Sequence, residues 1–358
     1  MIAAADRSAS ASRATVSRAL GPTPSHPGAD QAGVAGQSAS LGSVGWSGPS
    51  MGGQVAVHVA CPDDAAATAQ RDVARVGARI EAWAARLTRF TTTSDLARLN
   101  ADARLTEARV RPTLAAVLGW AEAAADHSEG IVDVTLLDAR LAAERATGAV
   151  RDAIPDVLGD RSPEGLASAR RWWLQRGPRG GTVHRSAGVR FDLDGVAKGW
   201  IADRALALLR AWPGALVDGD GDVAIGLGAG VEWMIGVADP RDDAQLLATL
   251  RFSGDRRSGP HALGVATSGT SVHRWQTGPQ VTHHLIDPQT GRSARTDVAQ
   301  ATVIAGSARV AEALAKSVVI MGSDAGLGLL ERARAKGGIV ALESGEVIAL
   351  PQTLEWLA

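Results

Sequence analysis

The chain has 358 residues, with 37 Lys and Arg against 38 Asp and Glu, and a net charge of -1. That balance, with no basic tract, describes an ordinary globular protein and excludes the electrostatic footprint of a nucleic-acid binder. Cys61 is the only cysteine, which excludes an internal disulfide and a thiolate metal cluster, and no run approaches the ~18 apolar residues that span a bilayer.

Residues 1–45 are rich in Ala, Ser, Gly and Pro without apolar periodicity, and read as a disordered tail preceding one ordered domain over 46–358. The tail has no continuous apolar segment of the secretory type, so the expected location is cytoplasmic. Met51-Gly52-Gly53 leads into an alternating strand, Gln54 to Ala60, followed by a helix capped by Asp63 or Asp64. On that helix Val73, Val76, Ile80, Trp83 and Leu87 form one apolar stripe. Ser94 caps a short helix, and Pro112 opens another that runs to His127. Gly130 to Thr135 reads as extended, Pro155 to Arg171 as a helix, and QRGPRGG as a turn. From Ala215 strands dominate (ALVD, DVAIG, EWMIGVAD, LLATLRF, LGVATSG, AQATVIAG), then helices from Ser307 and near Ala325 to Ala335, then GGIVALES and EVIALP. This grouping predicts an α+β fold with antiparallel sheets packed against helices.

The most informative stretch is FDLDGVAKGWIAD, Phe191 to Asp203: an extended segment, a turn at Gly195, and a helix with Lys198 in its first turn. A helix start offers free N–H groups and the positive end of the macrodipole, so a cation there completes an anion site in outline. Lys198, Lys316 and Lys336 are the only lysines in a chain that otherwise uses Arg, which suggests that a compact ammonium is needed where one is kept. HHLIDPQTG, His283 to Gly291, places imidazole and carboxylate close enough for base and orienter, or simply forms an Asp-Pro turn. DGDGD, Asp218 to Asp222, fails as a calcium loop because its sixth and twelfth positions are Val223 and Ala229, and GLGAG reads as a hairpin turn. Glu312 and Lys316, four apart on one helix, read as a surface pair or as part of a site.

In order along the chain, MGG, RFTTTSDLARLN, IVDVT, FDLDGVAKGWIAD, DGDGD, EWMIGVADP, VATSG, HHLIDPQTG and ATVIAGSARVAEALAKSVVIMG resemble the FAD:protein FMN transferases, the ApbE-type flavin transferases. The resemblance runs from about Trp46 to Gly322 and implies a T-fold-like architecture. It also implies transfer of FMN from FAD, with Mg²⁺ and release of AMP, onto a Ser or Thr hydroxyl of an acceptor protein. Met51 and Phe90 match positions that hold the flavin ring, with Phe90 where a tyrosine is usual. Asp133, Val134 and Thr135 fall in the next cofactor segment, Asp192 and Lys198 match central FAD contacts, and Leu285 joins them. His284, Asp287 and Lys316 are the catalytic candidates, with His284 as base or phosphate contact, and the Gly195 carbonyl and Glu312 are the metal candidates. The family usually carries Asp and, four residues on, Thr as metal ligands where this chain has Glu312 and Lys316, and Gly is common where it has Asp194. An ammonium cannot ligate Mg²⁺ while protonated, so Lys316 is expected to replace part of the metal charge, unless Asp194 supplies the lost oxygen. The alternatives are a non-catalytic FAD-binding protein and a FAD pyrophosphatase giving FMN and AMP.

Overall fold

The computed structural model describes residues 2–5, 13–15, 41–146, 171–254, 259, 261–271, 274–277 and 280–358. In chain order these form β1 (Ile2–Ala5), β2 (Arg13–Thr15), β3 (Gly42–Ser50), β4 (Gly53–Cys61), α1 (Ala66–Leu87), α2 (Asp95–Ala101), β5 (Glu107–Val110), α3 (Pro112–His127) and α4 (Leu137–Ala146). Then come β6 (Trp172–Gly177), β7 (Gly180–Arg185), α5 (Ala197–Leu208), β8 (Gly214–Gly219), β9 (Asp222–Leu227), β10 (Glu232–Asp239), β11 (Asp242–Ser253) and β12 (His261–Gly269). The remainder is β13 (Arg274–Thr277), β14 (Gln280–His283), β15 (Ile286–Asp287), β16 (Arg292–Ser293), β17 (Val298–Ala305), α6 (Ala308–Met321), α7 (Ser323–Arg332), β18 (Gly337–Leu342) and β19 (Val347–Ala349).

The α+β expectation holds. A ten-stranded sheet in the order β2-β1-β19-β18-β17-β12-β9-β8-β4-β3 is antiparallel throughout except where β1 runs parallel to β19. Strand β3 starts at Gly42, ahead of the 46 expected for the domain, and Ile2–Ala5 and Arg13–Thr15 of the tail are strands; the rest of the tail before 41, and the helix expected from Pro155, lie outside the described residues. The QRGPRGG turn is present at Pro178-Arg179. Three differences concern short segments: the arms of that turn belong to β6 and β7, which with Glu107–Val110 form the three-stranded sheet β5-β7-β6. Gly130 to Thr135 is no strand: the Asp133 carboxylate accepts from the Thr135 N–H (2.8 Å) and hydroxyl (2.7 Å) and folds the segment into a turn. GLGAG is no hairpin turn either, since β10 pairs with β11 and leaves the large sheet.

Strand periodicity fixes what each face of the large sheet meets. Val223, Ile225 and Leu227 point to a core shared with Phe252, Leu250 and Val237 of the β10–β11 ribbon, whereas Ala224, Ala215 and Val217 point to the helices. The predicted stripe of α1 is buried in that second core, where Trp83 meets Trp200 of α5 edge-on at 5.9 Å between ring centroids. Among the described residues no helix is long and apolar enough to cross a membrane.

Helices α5 and α6 cross so closely that a Cβ on Gly199 would lie 2.7 Å from the Arg309 backbone. At the crossing each helix caps the other. The Asp203 carboxylate on α5 accepts from the first N–H groups of α6, Ala308 at 2.9 Å and Arg309 at 3.3 Å. Glu312 on α6 accepts from the Gly199 N–H at 3.0 Å, in the first turn of α5. Neither helix has a side-chain cap bond from its own N-cap residue, Val196 or Ser307, so orphan donors that local sequence leaves open are satisfied across the interface.

Candidate functional site

The segment before α5 is extended but belongs to no sheet. The Asn100 side chain stands in for a neighbouring strand, donating to the Phe191 carbonyl (2.8 Å) and accepting from its N–H (2.9 Å). The Asp192 N–H donates to the Val134 carbonyl at 2.8 Å, which ties the 133–135 turn to the start of α5. Two hairpin turns approach from the sheet. Met51-Gly52 (φ 54° and 88°) and Asp220-Gly221 (φ 67° and 90°) are both two-residue turns with the left-handed backbone that tight hairpins require. The Asp220 carboxylate packs directly over Gly53, so the two turns lie side by side at one end of the sheet.

Between these parts lie two cavities. The larger, ≈ 390 Å³, is bounded by the Met51 turn, the C-terminal turns of α1 and the start of α5, and Ala84, Leu87, Leu193, Ala197 and Ile201 give it apolar walls. Phe90 stands at its rim with two thirds of its surface exposed (66%). The smaller, ≈ 60 Å³, is bounded by the 131–136 turn, Arg140, Gly195, the 284–286 loop and Lys316. Asp192 lines both.

Charge is concentrated where the cavities meet. The Arg140 guanidinium bridges Asp192 (3.2 Å), Asp194 (closer still) and Glu144 (3.0 Å). Burial works against the charged form of Asp194, but Arg140 and then Lys316 overcome it and hold the carboxyl well below the usual range. The Lys198 ammonium donates to the Asp220 carbonyl (3.3 Å) and pairs with the carboxylates of Asp220 (3.5 Å) and Asp222 (3.8 Å). Burial alone would lower the Lys198 pKa, yet Asp222, Glu312, Asp194 and Asp220 together raise it, so the group stays charged. Burial pushes Asp222 up to about 7, and pushes Glu312 well above the ordinary carboxylate range with Asp222 adding repulsion. Glu312 is therefore no surface residue: it is 2% exposed, and its second oxygen, Oε1, has no hydrogen-bond partner.

The structure brings most of the sequence-predicted residues to these two cavities. Met51, Phe90, Asp192 and Lys198 line the larger, and Asp133, Val134, Asp192, Gly195, His284, Leu285 and Lys316 line the smaller. Thr135 hydrogen-bonds to Asp133 behind the turn. Asp287 differs from its expected role as orienter of an imidazole. Its carboxylate accepts from the Gln289 N–H (2.8 Å) and the Thr290 hydroxyl (3.1 Å) and builds the DPQTG turn that carries the His284 loop. His283 is buried in the frame of the same loop, with Nε2 3.0 Å from the Ala294 carbonyl and Nδ1 accepting from the Leu285 N–H at 3.3 Å. Sequence reasoning missed Arg140, Asp220 and Asp222 as members of the site. The rejected calcium loop did hold a signal, a DG hairpin turn flanked by further carboxylates, but nothing local marked Arg140.

The sequence pattern of the ApbE family matches residues 51–341. The chain belongs to the ApbE family. Among curated relatives, a FAD:protein FMN transferase from Treponema pallidum is 31% identical over 53% of this chain and 59% of its own length. One from Klebsiella pneumoniae is 35% identical over 33% of this chain and 34% of its own length. The chain thus matches between a third and three fifths of the length of these relatives. The ApbE protein of Thermotoga maritima superposes over 88% of this chain and all of its own with a TM-score of 0.71 at 21% identity. The flavin transferase ApbE from Vibrio cholerae does so over the same shares with a TM-score of 0.66 at 23% identity. These likenesses establish the fold.

The ApbE resemblance implied Mg²⁺ at Gly195 and Glu312, and the residues present do not fit it. One Glu312 oxygen is committed to capping α5. The Lys316 ammonium lies against Gly195, where it would collide with a Cβ, and it has no lone pair to offer. Among the described residues no group of three or more His, Cys, Asp or Glu side chains is placed to hold a metal. Two lysines and an arginine hold the position of positive charge instead.

Proposed function

We propose that this chain is a FAD:protein FMN transferase, moving FMN from FAD to a Ser or Thr hydroxyl of an acceptor protein with release of AMP. The observation that carries this reading is an apolar chamber whose wall includes the start of α5 with Lys198 in its first turn, and which shares Asp192 with the smaller charged cavity. A planar flavin fits the first and a pyrophosphate the second. In this reading Met51 and Phe90 hold the ring, and Asp133, Val134, Thr135, Asp192 and Leu285 hold the rest of FAD.

The acceptor oxygen attacks the FMN phosphorus, a new P–O bond forms, and the anhydride bond to the AMP phosphate breaks with its electron pair leaving on AMP. The hydroxyl proton passes to the imidazole of His284 at the wall of the smaller cavity, and Asp287 fixes the loop that positions it. The enzyme's main task is electrostatic: the Lys198 ammonium faces charge that moves toward the leaving phosphate. Residues 46–358 carry the activity, with Gly42–Gly45 completing strand β3.

The test is incubation with FAD and an acceptor domain bearing a flavinylatable Thr, read by intact mass and by chromatography of nucleotides. The expected result is one FMN added to the acceptor and one AMP released. FMN and AMP without an acceptor would make the protein a FAD pyrophosphatase, and bound FAD with neither product would make it a flavin-binding protein.

A further inference from the structure

We infer that the Lys316 ammonium is a built-in cation for the pyrophosphate, so that FAD binding and transfer need no divalent metal ion. This rests on the proposed function, which places a pyrophosphate where the two cavities meet.

Four observations carry it. Of only three lysines in the chain, two, from different helices, come to this junction, Lys198 on α5 and Lys316 on α6. Lys316 fills the space over Gly195, its Nζ so close that a Cβ there would collide with it, which seats a compact ammonium against the backbone before α5. Its Nζ donates to the Asp194 carbonyl at 3.5 Å, which leaves further donors of the three for the small cavity that Lys316 lines with Asp192, Gly195 and His284. Acids surround the cations closely: Asp194, Asp220 and Asp222 balance Arg140 and Lys198, and Glu312 lies buried one turn before Lys316. A divalent ion entering this junction meets three positive charges, two of them, Arg140 and Lys198, already paired with Asp192, Asp194, Asp220 and Asp222, and, from Glu312, one oxygen outside its capping bond. A pyrophosphate entering it meets two ammonium groups.

The experiment uses the full chain and FAD, with affinity read by flavin fluorescence in EDTA and in Mg²⁺, and with Mn²⁺ binding followed by electron paramagnetic resonance. The expected affinities agree within about twofold in the two buffers, Mn²⁺ shows no saturable binding with or without FAD, and Lys316→Met weakens FAD binding about tenfold or more. A tenfold loss of affinity in EDTA, saturable Mn²⁺ binding, or an unchanged Lys316→Met affinity would each overturn the inference. Circular dichroism checks that the variant folds; should it not, the EDTA and Mn²⁺ measurements on the unaltered protein decide alone. None of these readouts needs turnover. Failure of FMN transfer in the mass assay therefore removes the transferase reading and leaves them interpretable, whereas a protein that binds no FAD in either buffer loses both.

Discussion

The two cavities that share Asp192 are built in different ways. The larger takes its walls from regular elements: the last turns of α1, the first turn of α5 and a hairpin turn whose backbone is set by its own residues. The smaller is assembled from segments far apart in the chain, Arg140, Asp192 to Gly195, His284 and Lys316, held by ion pairs and by helices that cap each other. A wall of packed side chains recognises shape and apolar area, and tolerates change. A charge cluster of low exposure recognises charge, and every member alters the electrostatics of the rest.

Four substitutions sharpen this contrast. Lys198→Ala strikes the charged side and is expected to have the largest effect, a fall in transfer rate of about 100-fold or more, as removal of one preorganised electrostatic contact does. Steady-state kinetics of AMP release measure it; a loss under fivefold would place the pyrophosphate elsewhere.

Asp222→Asn acts on the same cluster through pH. Burial raises the carboxyl to about 7, with Lys198 and Lys316 opposing and Asp218 and Asp194 reinforcing, and Glu312 feels Asp222 in turn. The folded value lies above the unfolded one, so the folded state binds the extra proton, and the stability linked to the neutral form is lost as pH rises through 7. Asparagine stays neutral. Thermal melts across pH are therefore expected to favour the variant progressively from about pH 4 to pH 7, relative to the unaltered protein, and then to level off. A difference independent of pH would mean that Asp222 titrates normally.

Asp203→Ala removes the carboxylate that accepts from both N–H groups at the start of α6 and is expected to cost about 1–2 kcal/mol in denaturant unfolding. Since the cap holds the helix that carries Glu312 and Lys316, FAD affinity should fall with it. Phe90→Ala, on the apolar side, should leave stability within about 0.5 kcal/mol because the ring is exposed. It should still weaken FAD binding severalfold by calorimetry; an unchanged affinity would remove Phe90 from the flavin site.

Much of the first region was legible in the sequence because its signals are local. The α1 stripe follows helical spacing, β4 alternates, and Lys198 stands just after a glycine turn at a helix start. Even the partner of Lys198, the Asp220-Gly221 turn, is present as a DG hairpin signature. The start of α1 shows where a local rule stops short: Asp63 and Asp64 form a 3₁₀ turn, Asp63–Ala65, ahead of the helix instead of a side-chain cap. The sheet β5-β7-β6 is harder to read because β5 has only four residues and β6 alternates buried and exposed positions only over its first four.

The sequence by itself determined the α+β class, the long helices and, through ordered motifs, membership of the ApbE family. Backbone preference and apolar periodicity act over a few residues, and so they can be read there. Only the tertiary structure decided that Glu312 is buried, that Arg140 ties Asp192 to Asp194, and that Asp287 serves its own turn. An i,i+4 Glu and Lys look the same in sequence whether their helix faces water or another helix. The crossing of α5 and α6 settles which it is, and brings an ammonium, in place of an oxygen ligand, up to Gly195.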